Sequence, residues 1–389
     1  MISVGRARMV DRKLGRPLCA LLGLFHRFRG RRRAPDLDQV RKILVIKMWG
    51  LGSIVLASPV FRQLRLGCPQ AHITFLTLAQ NKGLYDDTEW FDETLYFELS
   101  SWRAAWGSLF RILGWLWRER VDLVLDLEFA SRVTALLCFV GRARFTLGYA
   151  PAGSGKDLFD LTVPYHESEH ITRIFLRSVD ALGLSSHDEG LIPLPQPKDD
   201  VGVVRRFLSD RVDRFIVFNP NTSDLAPERM WPLDRFAILA ERVLQEWPGL
   251  TIVLIGARTD QQRVNTLLEM INAPGVISVA GLLTIRQTAC LLDLADAFVS
   301  NDSGPLHLGV AVDVPTIGLF GPETPVLYGP RGPNHRAVTS RQICSPCISI
   351  YNDKVLTCTR DALCMKEISV EDQVLAPLNG ILRQTVVRV

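Results

Sequence analysis

Apolar positions along this chain fall into two kinds of stretch, and the two kinds alternate. Short unbroken apolar runs bounded by Gly, Pro or polar clusters read as buried strands at 41–47, 71–78, 121–127, 215–220, 251–255, 276–279, 297–300 and 315–320. Stretches with apolar residues at helical spacing separate many of them, at 54–66, 102–117, 171–182, 233–246, 261–270 and 285–294. Strands alternating with helices argue for an α/β fold with a mainly parallel, doubly wound sheet in each half. In 102–117 the residues Trp102, Trp106, Phe110, Leu113 and Trp117 share one face, expected to pack on a sheet. The alternative is that some of them touch a lipid acceptor or a membrane. A length of 389 residues suits two domains. Pro193, Pro195 and Pro197, followed by charged residues, mark the linker between them. The expected division is a first domain over 35–198 and a second over 199–345. A basic segment over 1–34 precedes them, and a Cys-rich segment with a terminal helix follows over 346–389.

One strand-to-helix junction concentrates polar chemistry. After the run at 297–300 come Asn301-Asp302-Ser303-Gly304-Pro305-Leu306-His307. Asp302 or Ser303 can cap the next helix, and Pro305 fits its first turn, where no N–H is required. Helix N-termini present unpaired N–H groups and partial positive charge, and so bind phosphates. Ser303, Gly304 and Leu306 can supply such donors, Gly304 lets an anion approach the backbone, and Asp302 and His307 put polar groups beside it. The strand at 315–320 ends in Gly321-Pro322, so two strand ends can border one crevice, the usual ligand position in parallel α/β sheets. Near the start, Gly50-Leu51-Gly52-Ser53 follows a strand, but the third glycine of a dinucleotide turn would fall on Val55. That omission disfavours an NAD-dependent oxidoreductase.

These residues carry a resemblance. Asp302 to His307, with Val314-Pro315-Thr316 and Leu319-Phe320-Gly321-Pro322, resembles the donor-binding signature of the ADP-heptose:lipopolysaccharide heptosyltransferases, glycosyltransferase family nine. It runs from about Lys42 to the end. The resemblance implies the GT-B architecture: two Rossmann-like domains facing a central cleft, acceptor domain first, nucleotide-sugar domain second. It also implies a terminal helix over roughly 370–383 packing back towards the first domain. The implied reaction is inverting transfer of a heptose-like sugar from a nucleotide diphosphate sugar resembling ADP-heptose. The implied acceptor is a lipopolysaccharide-type or other lipid-linked cell-surface glycan, and no cofactor is required for catalysis. Asn221-Thr222-Ser223 and Glu228-Arg229-Met230-Trp231-Pro232 are similar to further donor segments of the family, with Arg229 where some members have lysine. A guanidinium can hold a diphosphate by two parallel charge-assisted bonds. Gly256 to Asp260 resembles the loop that reaches the nucleoside, where Asp260 either accepts from a ribose hydroxyl or caps the next helix.

The chain departs from the family at Ser53. Members have an aspartate there, taken as the base that deprotonates the acceptor hydroxyl. A serine with no nearby base cannot do that work near neutral pH. Glu128 and Asp126, at the end of a first-domain strand, are the substitute carboxylates, with a plain salt-bridged acid as the competing reading of Glu128. Otherwise the chain is a non-catalytic member that binds nucleotide sugar or glycan.

Charge and cysteines alter the picture at the two ends. Residues 1–33 hold ten Lys/Arg and one acid, so a formal net charge of +4 hides a basic start and a mildly acidic remainder. Their apolar run, 18–25, is far shorter than the roughly 20 residues needed to span a bilayer. An Arg-rich continuation does not match a signal peptide. The segment reads as an anionic-membrane contact, a disordered tail or a nucleic-acid arm, the last disfavoured because nothing downstream resembles a nucleic-acid module. The implied location is cytoplasmic, peripheral on the inner face of the membrane. Cys344, Cys347, Cys358 and Cys364 form C-x2-C-x10-C-x5-C, read either as a structural zinc site or as four reduced thiols.

Overall fold

The computed structural model describes residues 4–28, 34–151, 158–185, 188–208, 213–223, 226–350 and 358–386. The chain forms two compact units, Met1–Leu191 and Ile192–Val389. The first contains strands β1 (Lys42–Ile46), β2 (His72–Leu78), β3 (Glu93–Phe97), β4 (Leu123–Asp126), β5 (Phe145–Tyr149) and β6 (Leu161–Val163). Its helices are α1 (Val4–Phe28), α2 (Leu51–Gly67), α3 (Trp102–Glu119), α4 (Arg132–Val140) and α5 (Ile171–Asp180). The second contains β7 (Phe215–Asn219), β8 (Thr251–Leu254), β9 (Val276–Ser278), β10 (Ala297–Asn301), β11 (Thr316–Phe320) and β12 (His335–Thr339). Its helices are α6 (Lys198–Leu208), α7 (Leu233–Glu246), α8 (Gln261–Ile271), α9 (Ile285–Asp293), α10 (Gly304–Ala311), α11 (Pro325–Tyr328), α12 (Leu363–Lys366) and α13 (Ala376–Val386).

Both sheets are parallel and doubly wound. Their strand orders are β3-β2-β1-β4-β5-β6 and β12-β11-β10-β7-β8-β9. In each, three strands build outwards and the fourth returns to the far side of the first. The switch points therefore lie between β1 and β4 and between β7 and β10. Because all strands run one way, the polar residues after β7, β8, β10 and β11 emerge at one edge. Central strands are buried on both faces, which is why they read as unbroken apolar runs: Leu44, Val45 and Ile46 are fully buried, as are Ile216, Val217 and Phe218.

Several expectations change here. The aromatic face of α3 does not pack on the sheet. Ala105, Ser108, Ile112 and Leu116 are buried, while Trp102, Trp106, Phe110 and Trp117 are 47%, 56%, 67% and 54% exposed. Ala105 and Ser108 share the inner face with the aliphatic Ile112 and Leu116, and the large rings lie outside. The basic start is not a disordered tail over 4–28. It is a helix docked on α4, with Cys19 buried and Asp11 accepting the Arg132 and Val133 N–H groups at the start of α4. Residues 1–3 and 29–33 lie outside the described residues. The proline stretch at 193–197 belongs to the second unit, where α6 follows it and Asp200 binds Gln287 and Arg286 of α9. The terminal helix commits its buried face to the second unit. Val374 and Leu375 of a π-helical turn, with Leu378 and Leu382 of α13, join the core that holds Phe236 and Val243.

Candidate active site

In the second unit, parallel pairing sets Asn219 beside Ser300 at the ends of β7 and β10. The Asn219 amide donates to Ser303 Oγ (2.7 Å) and Ser300 Oγ (3.0 Å). Ser303 occupies the N-cap position of α10, but its side chain makes no capping bond, and Pro305 lies in the first turn. The first-turn N–H groups of a helix have no partner within it. Here Leu306 N–H turns back to the Ser303 carbonyl (3.2 Å), which removes it from the donors expected of this loop. Leu306 and His307 are buried at 0% and 4% exposure, while Gly304 and Pro305 are half-buried at the helix start.

Arg229 reaches the same place from a 3-10 turn, Pro227–Arg229. Its guanidinium donates to Asp302 Oδ2 (3.1 Å), Ser223 Oγ (2.8 Å) and the Ala226 carbonyl (3.4 Å). Five guanidinium N–H donors are available, so this fork keeps capacity for an anion. The following Trp-Pro anchors the turn through the tryptophan. Trp231 is fully buried, its backbone N–H donates to Asn301 Oδ1 (3.0 Å) and its indole N–H to the Ile368 carbonyl (3.3 Å). Asn221 Nδ2 donates to the Ile255 carbonyl beyond β8 (2.9 Å), and Thr222 bonds within its own loop. Asn221 Oδ1 is buried without a partner, an orphan acceptor next to the strand ends. A Cβ on Gly256 would come within 2.9 Å of Asn221 Nδ2, so this loop needs glycine. Asp260 accepts the Ala257 N–H (2.8 Å) within the 3-10 turn before α8 and makes no side-chain capping bond to that helix, so the expected cap of the next helix is not formed.

Three members of this cluster were not anticipated from the sequence: Asn219, Asn301 and Arg263. Arg263 donates to the carbonyls of Pro220 and Trp231, and burial lowers its pKa against a smaller opposing pull from Asp260. An arginine at a half-buried helix position gave no sign of this beyond its place after the loop.

The first unit has a corresponding junction. Gly50, with φ of 81°, turns the chain from β1 into α2 and puts half-buried Ser53 in the first helical turn. Glu128, just beyond β4, does not stand free as a base. Its Oε1 accepts from Lys47 Nζ (2.8 Å), Met48 N (2.7 Å) and Trp49 N (2.8 Å), with both charged side chains buried. Asp126 is fully buried and accepts from Glu128 N (3.0 Å) and the Thr134 hydroxyl (2.8 Å). Glu128 thus fastens the β1–α2 loop that leads to Ser53, while Asp126 braces the segment after β4 that carries Glu128. Lys47, which completes the pair, was also missed.

The four late cysteines share a neighbourhood. Burial raises the Cys347 thiol, as do Cys344, Cys358, Glu228 and Glu323 nearby, and Cys364 is pushed up to about 11 by burial and by Cys347. Yet among the described residues no three Cys, His, Asp or Glu side chains are grouped to hold a metal ion. The zinc expectation therefore finds no closed donor set there.

Two doubly wound parallel units, the second with an arginine and an uncapped helix start at its switch point, define a two-Rossmann protein of the GT-B class. Residues 110–355 match the profile of glycosyltransferase family 9 (heptosyltransferase), so the chain belongs to that family of glycosyltransferases. It is 26% identical over 322 residues to lipopolysaccharide heptosyltransferase 2 of Salmonella typhimurium, covering 78% of this chain and 88% of that one. A family 9 glycosyltransferase structure from Veillonella parvula superposes with a TM-score of 0.74 at 21% identity, over 90% of this chain and 99% of that one. The structure of ADP-heptose LPS heptosyltransferase II from E. coli gives 0.70 at 21% identity, over 88% and 99%.

Proposed function

We propose that this chain transfers a heptose-like sugar, with inversion, from an ADP-heptose-type donor to a lipopolysaccharide-type acceptor. The observation that carries the donor half is the uncapped start of α10 beside the Arg229 guanidinium. There the diphosphate would meet helix N–H groups and a fixed positive fork, which stabilise the charge that grows as the anomeric C–O bond breaks. Asn221 Oδ1 offers an acceptor for a donor hydroxyl. In the displacement, the acceptor oxygen bonds to the anomeric carbon, the nucleoside diphosphate leaves with the electron pair, and the acceptor proton passes to a base. Arg229 and the helix start supply the positive charge, so transfer needs no metal. The names of the relatives, heptosyltransferases of lipopolysaccharide, support the donor and acceptor classes. The exposed rings of α3 and the basic α1 support contact with an anionic membrane surface, and no described helix is long and apolar enough to cross one.

A second reading has a specific observation behind it. Ser53 stands at the family's base position while Glu128 is tied into the β1–α2 loop and Asp126 into the segment after β4, which favours a binding member without turnover. A panel of ADP- and UDP-sugars, assayed for nucleotide release with and without a lipid-linked acceptor, decides between them. Acceptor-dependent release from an ADP-sugar is the expected result. No release from wild type, with release restored by Ser53→Asp, selects the second reading.

A further inference from the structure

Between α1, α3 and α4 the first unit holds an open pocket of about 410 Å³, whose lining also includes Met48 and Trp49 of the β1–α2 loop. Its walls include Val10, Leu14 and Leu18 of α1, Trp106 and Leu109 of α3, and Leu136 of α4. The lining is almost wholly apolar, so it offers a nucleotide or sugar nothing to bond. The pocket is preformed: Cys19 and Leu22 pack α1 onto the core beneath, and Asp11 ties it to the start of α4. Its rim, however, is left in water. Leu14, Leu18, Trp102 and Trp106 line the pocket and remain 65%, 45%, 47% and 56% exposed. Leu21, Leu24 and Phe110, all more than half exposed, extend the apolar area along the same two helices. Contiguous exposed apolar surface of this sort marks an interaction site.

The chemistry of the surroundings selects the occupant. Arg6, Arg12, Lys13 and Arg16 of α1 are exposed on the same helix, outside the pocket lining. Basic side chains flanking Trp and Leu suit the headgroup boundary of an anionic bilayer. A second copy of this chain would instead bring two basic helices together. We propose that the pocket accepts one acyl chain of an anionic lipid at a bilayer surface, with α1 and α3 lying on that surface. The proposal rests on the membrane-contact reading above and adds to it a defined cavity.

The test uses the full chain, a series of saturated fatty acids from octanoate to stearate, and brominated phosphatidylglycerol vesicles. Pocket tryptophans report binding by quenching. Each added methylene should tighten binding about fourfold until the cavity is full, after which affinity levels off. Leu109→Trp, which fills the cavity, should move the plateau to shorter chains, and the exposed change Trp106→Ser should weaken vesicle binding with the melting temperature unchanged. Vesicle binding with affinity climbing through every methylene would overturn the pocket and leave surface docking standing. No binding of vesicles or fatty acids at low salt would overturn both. A dimer dissolved by Trp106→Ser, with no lipid effect, would assign the face to self-association instead and overturn the proposal.

Discussion

Lys47 and Glu128 are 2% and 5% exposed, and each is the other's charged partner. Replacing one member of such a buried pair removes the opposite charge from the other, typically at about 3–5 kcal/mol. Glu128→Gln is therefore expected to lower stability by roughly that amount. Turnover should fall in step, because the β1–α2 loop leading to Ser53 loses its anchor, while the pH profile of the residual activity keeps its shape. A double change, Lys47→Met with Glu128→Leu, should recover part of the stability. Lost turnover at unchanged melting temperature, with a shifted pH profile, would return Glu128 to the role of base. Ser53→Asp puts a carboxylate in the first turn of α2, where the helix dipole favours it by about 0.3–1 kcal/mol. Turnover should stay similar or rise, and a fall in both melting temperature and initial rate would contradict this placement of Ser53.

At the scale of elements, α1 is part of the first unit's structure as well as its charged surface. Asp11 caps α4 across a long stretch of sequence, so Asp11→Ala should cost about 0.5–2 kcal/mol in denaturant unfolding, as lost caps do. Deleting the helix should destabilise the first unit as well as weaken lipid binding. An unchanged unfolding midpoint for Asp11→Ala would mean that α1 does not dock as described. The central strands and most of their helices were legible because unbroken apolar runs and helical spacing are local signals. The strands β3, β5, β6 and β12 were not, since short strands with mixed polarity, such as Glu93–Phe97, are defined by the neighbour they pair with. The outward face of α3 was misread for a related reason: periodicity finds the two faces of a helix but not which one meets the sheet. In α3 the face of Ala105, Ser108, Ile112 and Leu116 took the inner side, not the ring-bearing one. Helix α1 was hidden because its buried positions, Gly15 and Cys19, are small and sparse among arginines.

For the whole molecule, the family was readable, since Asp302 to Gly304 and the Arg-x-Trp-Pro turn carry its signature, and the same residues are those proposed for the donor. The bonds that position them were not. Asn219, Asn301 and Arg263 gain their roles only when strands distant in sequence end side by side. On the proposal that Arg229 and the start of α10 supply the charge at the donor site, a chelator is expected to leave transfer unchanged. Loss of one metal per chain with a lower melting temperature would restore the zinc reading of the four cysteines without touching the chemistry. The donor site itself is tested most directly by titrating ADP into wild type and Arg229→Ala in a calorimeter. A lost charge-assisted hydrogen bond costs about 1.5–3 kcal/mol, so the variant should bind roughly 10- to 150-fold more weakly while remaining folded. Equal affinity in the two proteins, or no affinity of wild type for any nucleoside diphosphate, would contradict the donor site at the start of α10.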